Sequence, residues 1–431
     1  LIDGTPRFLF VPVSGPSGMG EYARSLAIAQ GARARWPEAA IRFVLSREAP
    51  YAARTPFPAT LLDSSPTFHS AAVSELLAQW QPDVVIFDNA GRTAQLRAAR
   101  RCGARVVYIS ARRRQRRKAF RLRWMRLIDE HWIAYPEFIA GALSVIERLK
   151  LDVLRRPTVR YLDVILDSSR GAGRESLLTR TGYVAGEFAL VVPGGGTNHP
   201  GARDAVAQFR TAARGLAAAG VNTIFVGPAA DTGEPGERTT VAEPAEPPTM
   251  AATAVTAAAA ATVAPAAAGA VAVAATVAVA ATGAVATTGA VATTGAVAAT
   301  GAVAATGAVA PDSSQMPRLR MVGALPQAEL AELMRAARLI VANGGSTLMQ
   351  SVACAKPSLA VPVAGDQAER IRRCVAAGVA VAAQLDGAAI LAAATALWRD
   401  ERRLEALAGR AVALGLCDGI DVAVRALAGL V

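Results

Sequence analysis

Histidine is scarce in this 431-residue chain. His69, His131 and His199 are the only three, too few for a His-rich metal centre. The four cysteines, Cys102, Cys354, Cys374 and Cys417, are scattered without CxxC spacing. They read as reduced cytosolic thiols rather than as a disulfide frame or a zinc site. No basic segment leads into a long apolar run at the start, so no secretory leader is expected there. Acidic residues are missing from 112–126, RRRQRRKAFRLRWMR, where nine basic residues stand together. Removing those nine from the net charge of +12 leaves +3, so the basicity of the chain is essentially one patch. Residues 247–311 lack charge of either sign.

That uncharged stretch also lacks Leu, Ile and Phe. Alanine, threonine and glycine are only weakly apolar, so it does not read as a membrane span. From Thr282 it repeats TGAVAT or TGAVAA with a period of six. The period fits a hexapeptide solenoid, but such small side chains would bury little surface. A low-complexity, disordered loop without a chemical duty is the expectation for the insert at 229–311. The lead-in GEPGERTTVAEPAEPP marks a surface boundary.

What is present outside the insert is regular. PRFLFVPV, AIRFVLS, DVVIFD and ARVVYIS have the Val, Ile and Phe content of buried strands. GEYARSLAIAQGARA and FHSAAVSELLAQW, lying between them, carry apolar residues at helical spacing. Alternating strands and helices predict a parallel sheet covered on both faces. The pattern restarts at FALVVPGG and resumes after the insert with RLRMVG, QAELAELMRAA, RLIVAN and SLAVPV. The predicted architecture is therefore α/β with two Rossmann-like domains. Residues 1–165 form the first, 166–185 the linker and 186–431 the second, which carries the insert.

Ligands of such folds sit beyond the carboxyl ends of the strands. Three Gly-rich turns fall there: SGPSGMGEY with Gly15, Gly18 and Gly20, PGGGTNHPG, and NGGST at 343–347. Glycine lets backbone N–H groups approach an anion, and the following helix points its positive end at it. Each turn taken singly could equally serve only the change from strand to helix. The first turn does not fit dinucleotide spacing, and no acidic residue closes the second strand, so a nicotinamide enzyme is not favoured. No DxD-type pair follows a strand, and neither a metal nor a bound cofactor is expected.

The third turn lies within LPQAELAELMRAARLIVANGGSTLMQSVACAKPSLAVPVAGDQAERIRRCVAAGVAVA. This stretch resembles the C-terminal donor-binding signature of GT-B glycosyltransferases. It is nearest the peptidoglycan lipid-intermediate N-acetylglucosaminyltransferases and related nucleotide-sugar hydrolases. PGGGTNHPGARD is similar to the first loop of that family's second domain, and SGPSGMGEYARSLAIA matches more weakly. The resemblance implies two Rossmann-like domains facing a cleft, with a nucleotide-sugar co-substrate, UDP-linked by expectation, in the second. It implies that Gly344, Gly345, Ser346 and Thr347 receive the diphosphate while Gly195, Gly196 and Thr197 close over it. Gly323, Ala324 and Leu325 would bracket the base, and Asp366 and Gln367 would contact sugar hydroxyls or neighbouring structure.

Two departures from the family pattern matter. Gln350 stands where the family usually has the glutamate that grips the ribose diol. Glutamine can still accept and donate there, but a charged acceptor binds more strongly. Relatives often end the first loop Gly-His, whereas Glu21 follows Gly20 here. A carboxylate can act as general base on an acceptor hydroxyl, and it is equally at home in the first turn of a helix. Asp88, at the end of DVVIFD, is the rival base or else a loop cap. His199 is a candidate contact for the leaving diphosphate, or incidental to its loop.

In the basic patch, Phe120, Trp124, Leu127 and Ile128 fall at helical spacing among the cations. Such a helix suits an anionic membrane surface, or it packs its stripe on its own domain. Nothing of aromatic-rich or helix-turn-helix character favours nucleic acid. The expectation is thus an inverting glycosyltransferase with a hydroxyl acceptor, a lipid-linked one among the options, placed in the cytoplasm or at the inner face of the membrane. A hydrolase of the same fold and a non-catalytic nucleotide-sugar-binding subunit are the alternatives.

Overall fold

The computed structural model describes residues 5–16, 19–166, 177–194, 202–227, 318–365 and 367–431. The repeat insert lies outside the described residues.

The first sheet is built from β1 (Arg7–Pro12), β2 (Ala40–Ser46), β3 (Ala59–Leu62), β4 (Val84–Asp88), β5 (Arg105–Ser110), β6 (Glu130–Ile133) and β7 (Thr158–Tyr161). Their order is β3-β2-β1-β4-β5-β6-β7, and every pairing is parallel. Along them come α1 (Gly20–Arg35), α2 (Ser70–Trp80), α3 (Thr93–Arg101), α4 (Arg113–Ala119), α5 (Leu122–Met125), α6 (Glu137–Ala140) and α7 (Val145–Leu154). The second sheet comprises β8 (Phe188–Val192), β9 (Asn222–Val226), β10 (Leu319–Val322), β11 (Leu339–Asn343), β12 (Ser358–Val361) and β13 (Val381–Ala382). It is also parallel, in the order β10-β9-β8-β11-β12-β13. Its helices are α8 (Leu177–Thr181), α9 (Ala202–Ala218), α10 (Gln327–Ala336), α11 (Ser346–Ala353), α12 (Gln367–Ala376), α13 (Gly387–Arg399) and α14 (Glu401–Ala413), with α15 (Gly419–Ala428) closing the chain.

Strands buried on both faces need continuous apolar runs. All five residues of β4, β8 and β11 are buried, including the Asp88 and Asn343 that end two of them. The chain reverses its direction of travel across each sheet between β1 and β4 and between β8 and β11. A crevice opens at such switch points, and the loops that open it follow β1, β4, β8 and β11.

The packing bears on one domain boundary and on the two readings of the basic patch. The last helix does not stay with the second domain. Ala423, Ala426 and Leu427 of α15 lie in one core cluster with Phe8, Phe10 and Phe43 of the first sheet. The return is pinned by backbone: Gly419 N–H donates to the Val164 carbonyl at 2.8 Å. The apolar stripe of the basic patch does not face outward either. Phe120, Trp124 and Ile128 are buried, and Trp124 and Ile128 pack in the cluster behind β4 and β5 with Leu127 partly buried against it. Burying a tryptophan among a domain's own side chains removes it from any membrane contact.

Candidate active site

The first wall of the site comes from α1. Gly20 and Glu21 open this helix, and Arg24 follows one turn later. Arg24 donates through Nε and Nη2 to the two oxygens of Asp88, at 2.8 and 2.6 Å. The Asp88 side chain is 0% exposed. Burial pushes its carboxyl up, against the pull of Arg24, and the two short bonds to the guanidinium favour the ionised pair. A carboxylate with both oxygens closed on a guanidinium and no solvent face cannot reach an acceptor. The structure thus turns the Asp88 carboxylate toward Arg24 and leaves it off the cavity wall.

Glu21 is placed differently. Its Oε1 accepts from Asn89 Nδ2 at 2.9 Å, while Asn89 Oδ1 accepts from the Ala111 backbone N–H at 2.9 Å. Asn89 sits in the left-handed region at φ 53° and is nearly buried. With both ends of its amide held, it fixes one carboxylate oxygen of Glu21 and leaves the other to the site.

The second wall is the turn after β11. Gly344 N–H donates to the Val361 carbonyl at 3.1 Å and to Gln367 Oε1 at 3.2 Å. Gly345 N–H donates to Asn343 Oδ1 at 3.0 Å. These two amides were expected to receive a diphosphate, yet here they hold the turn itself. The open donors are one step further on. The amides of Ser346 and Thr347 begin α11, where no intrahelical acceptor exists, and the positive end of the helix lies there. Gly344 has no room for a side chain, because a Cβ would stand 2.7 Å from Ile371. At Gly194, φ 89°, a Cβ would meet Asn343 Nδ2 at 2.2 Å, so the loops after β8 and β11 touch through that amide.

Both walls face one cavity of about 300 Å³. Gly20, Glu21, Arg24, Arg112 and Tyr135 line it on the first-domain side. Gln327, Gly345, Ser346, Gln350, Gln367 and Arg370 line it on the other, and Asp163–Ile165 cross between. Asp163 is a second carboxylate here, but its Oδ2 accepts from the Cys417 backbone at 3.0 Å. Gln350 donates Nε2 to the Ile165 carbonyl at 3.1 Å. A glutamate could not make that bond, so glutamine at this position has a structural use: it ties α11 to the chain crossing between the sheets. Only the Gln350 carbonyl oxygen remains for a ligand.

Arg370 is the residue the sequence reading missed. It stands over the Tyr135 ring, 4.7 Å from its centroid, and donates to the Gly344 carbonyl. Nearby on α12, Arg373 donates to the Ile139 carbonyl at 2.7 Å. The one signal in the sequence was its position three residues after Gln367, one helical turn along the same face. Gly323, Ala324 and Leu325 form the turn into α10 but do not line the cavity; Gln327 does. Gly15 also lies off the cavity wall. Gly18, Gly195, Gly196, Thr197, His199 and Asp366 lie outside the described residues. Among the described residues no three of His, Cys, Asp and Glu come together as a metal-ligand set. No described helix is long and apolar enough to cross a membrane.

No family model and no curated protein matches the chain. Solved structures do. The spinosyn forosaminyltransferase SpnP is similar at a TM-score of 0.58 and 12% identity, covering 99% of this chain and 100% of that one. SnogD, a glycosyltransferase from Streptomyces nogalater, gives 0.52 at 14% identity over 99% and 100%. The spinosyn rhamnosyltransferase SpnG complexed with thymidine diphosphate gives 0.52 at 14% over 98% and 99%. Identities this low speak for the fold alone. With parallel sheets of seven and six strands, the chain has the two-domain α/β GT-B fold of these glycosyltransferases.

Proposed function

We propose that the protein is a glycosyltransferase that moves a sugar from a pyrimidine nucleoside diphosphate to an acceptor hydroxyl, with inversion at the anomeric carbon. The observation that carries this reading is the facing of two unlike walls across one cavity: Glu21, held by Asn89, against the first turn of α11 with Arg370 beside it.

Each wall has its task in the reaction. The diphosphate sits at the Ser346 and Thr347 amides, where the helix end and the Arg370 guanidinium offset its charge. Glu21 takes the proton of the acceptor hydroxyl as that oxygen bonds to the anomeric carbon. The bond from that carbon to the diphosphate breaks in the same step, and the negative charge moves toward α11. Gln350 presents its carbonyl oxygen to the nucleoside side of the cavity. The thymidine diphosphate bound by the neighbour SpnG supports a pyrimidine base without choosing uridine over thymidine.

A thermal-shift series with UDP, TDP, GDP and ADP tests the donor class, because a ligand bound only by the native state raises the melting temperature. UDP or TDP is expected to shift it, and GDP and ADP are not. Equal shifts with all four, or none with any, overturn the reading. Nothing in the geometry bars water from the place of the acceptor hydroxyl. Rapid stoichiometric release of free sugar from a UDP- or TDP-sugar without acceptor identifies a hydrolase instead.

A further inference from the structure

Helix α7 is turned the wrong way round for a surface helix. Val145, Ile146, Leu149 and Val153 are 74%, 66%, 60% and 74% exposed, and no residue of the helix is buried. At 3.6 residues per turn these four occupy about 100° of its circumference. Surface helices ordinarily turn such a stripe to the core. Here the inward side carries the half-buried Leu151 and Leu154 and is held by polar bonds. Glu147 is paired with Arg116 at 2.9 Å, and Lys150 Nζ donates to the Phe120 carbonyl at 3.2 Å. The start of the helix is closed by a reciprocal cap between Ser144 and Glu147, at 3.3 and 2.9 Å. The helix is thus well made and firmly anchored with its apolar face outward.

The elements it is anchored to are α4 and the Phe120 turn, which carry the basic patch. Arg113, Arg114 and Arg117 of α4 are exposed, as are Arg121, Arg123 and Arg126 just beyond it. Arg116 is not part of that surface, being spent on Glu147 and on the carbonyls of Ala140, Gly141 and Ala142. Leu122, between the exposed arginines, is 52% exposed. The positive field is dense: Arg92, Arg114, Arg121 and Arg123 all act on Lys118.

We propose that the α7 face and the arginines of α4 and α5 together form a docking surface for an anionic lipid bilayer. An apolar stripe that enters the headgroup boundary, flanked by cations that meet lipid phosphates, is the arrangement of an interfacial helix. A second copy of the chain fits less well, because a two-fold contact through this surface would set arginines against arginines. The surface is independent of the reaction assigned to the cavity.

Co-sedimentation of the full chain with phosphatidylcholine vesicles, with and without phosphatidylglycerol, tests it. Binding is expected only with phosphatidylglycerol, and added salt is expected to weaken it. The pair Arg113→Glu and Arg117→Glu is expected to lower the affinity roughly tenfold to a hundredfold. Leu149→Glu with Val153→Glu is expected to lower it comparably, with an unchanged melting temperature, since both side chains are exposed. No binding to either vesicle, or equal binding to both, overturns the proposal. So does self-association in sedimentation velocity that is abolished by Leu149→Glu with Val153→Glu.

Discussion

At the carboxyl end of β4 a full negative charge is buried. At the carboxyl end of β11, the matching place in the second sheet, stands the neutral amide of Asn343. The first arrangement compels a partner, and Arg24 of α1 supplies it with two bonds. The second compels nothing charged. Asn343 and Gln367 satisfy the glycine amides of their turn and leave the helix end open. The difference teaches where each domain keeps its reactivity. In the first domain the charge at the switch point is locked away, and the carboxylate left on the cavity wall, the base in our proposal, is its neighbour Glu21. In the second no side-chain charge ends the strand, and the site relies on oriented backbone with one added cation, Arg370.

The sharpest way to break the comparison is Glu21→Gln, which keeps the Asn89 contact within reach but removes the base. Turnover is expected to fall about 10²- to 10⁴-fold, while the melting shift caused by a nucleoside diphosphate stays as in the parent. Loss of nucleotide binding would place Glu21 on the donor side and end its role as base. The locked pair comes next. Arg24→Met leaves the buried Asp88 carboxylate unpaired and is expected to cost about 3–5 kcal/mol in urea unfolding. Replacing both residues by apolar ones should cost less than Arg24→Met alone. If the single and double changes cost the same, the pair does not act as a unit.

Much of this was legible in the chain. Continuous apolar runs such as VVIFD and RLIVAN can only be strands covered on both faces, and a Gly-rich turn after such a strand marks the mouth of a crevice. Glu21 and Ser346, singled out from such turns, both line the cavity. What escaped depends on contacts distant in sequence. Nothing in GIDVAVRALA says that it crosses to the first sheet, because its apolar spacing suits either domain. Arg24 and Asp88 are 64 positions apart, so the closure of that carboxylate was invisible. The amides of Gly344 and Gly345 looked free because glycine signals access. That Asn343 and Gln367 fill that access is settled by side-chain reach, not by composition.

The two cores differ again in titratable groups. His131 in the first is wholly buried, with Nε2 2.8 Å from Ser110 Oγ and no partner at Nδ1. Burial, with Arg116 nearby, depresses it to about 3 from its ordinary 6.5. The neutral form is thus favoured by folding. Its contribution is fully present above 6.5 and is lost as pH falls toward 3. Between pH 7 and pH 5 the loss is expected to be about 2 kcal/mol, read from urea midpoints at the two values. His131→Leu should flatten that slope; an unchanged slope would assign the acid sensitivity to other groups.

The smallest effect sharpens the comparison most directly. Asn343→Ala removes the acceptor of the Gly345 N–H and the amide that meets Gly194. Losing one such bond costs on the order of 1 kcal/mol of stability, far below the cost at Arg24 because no charge is stranded. The freed Gly345 amide becomes a further donor at the mouth of α11. Nucleoside diphosphate affinity is accordingly expected to hold or rise modestly even as the fold weakens, a divergence that calorimetric titration beside urea unfolding resolves. If affinity instead collapses while stability barely moves, Asn343 is itself a ligand contact. The second domain would then depend on a side chain at its strand end after all, and the contrast with the closed Asp88 would lie in exposure rather than in charge.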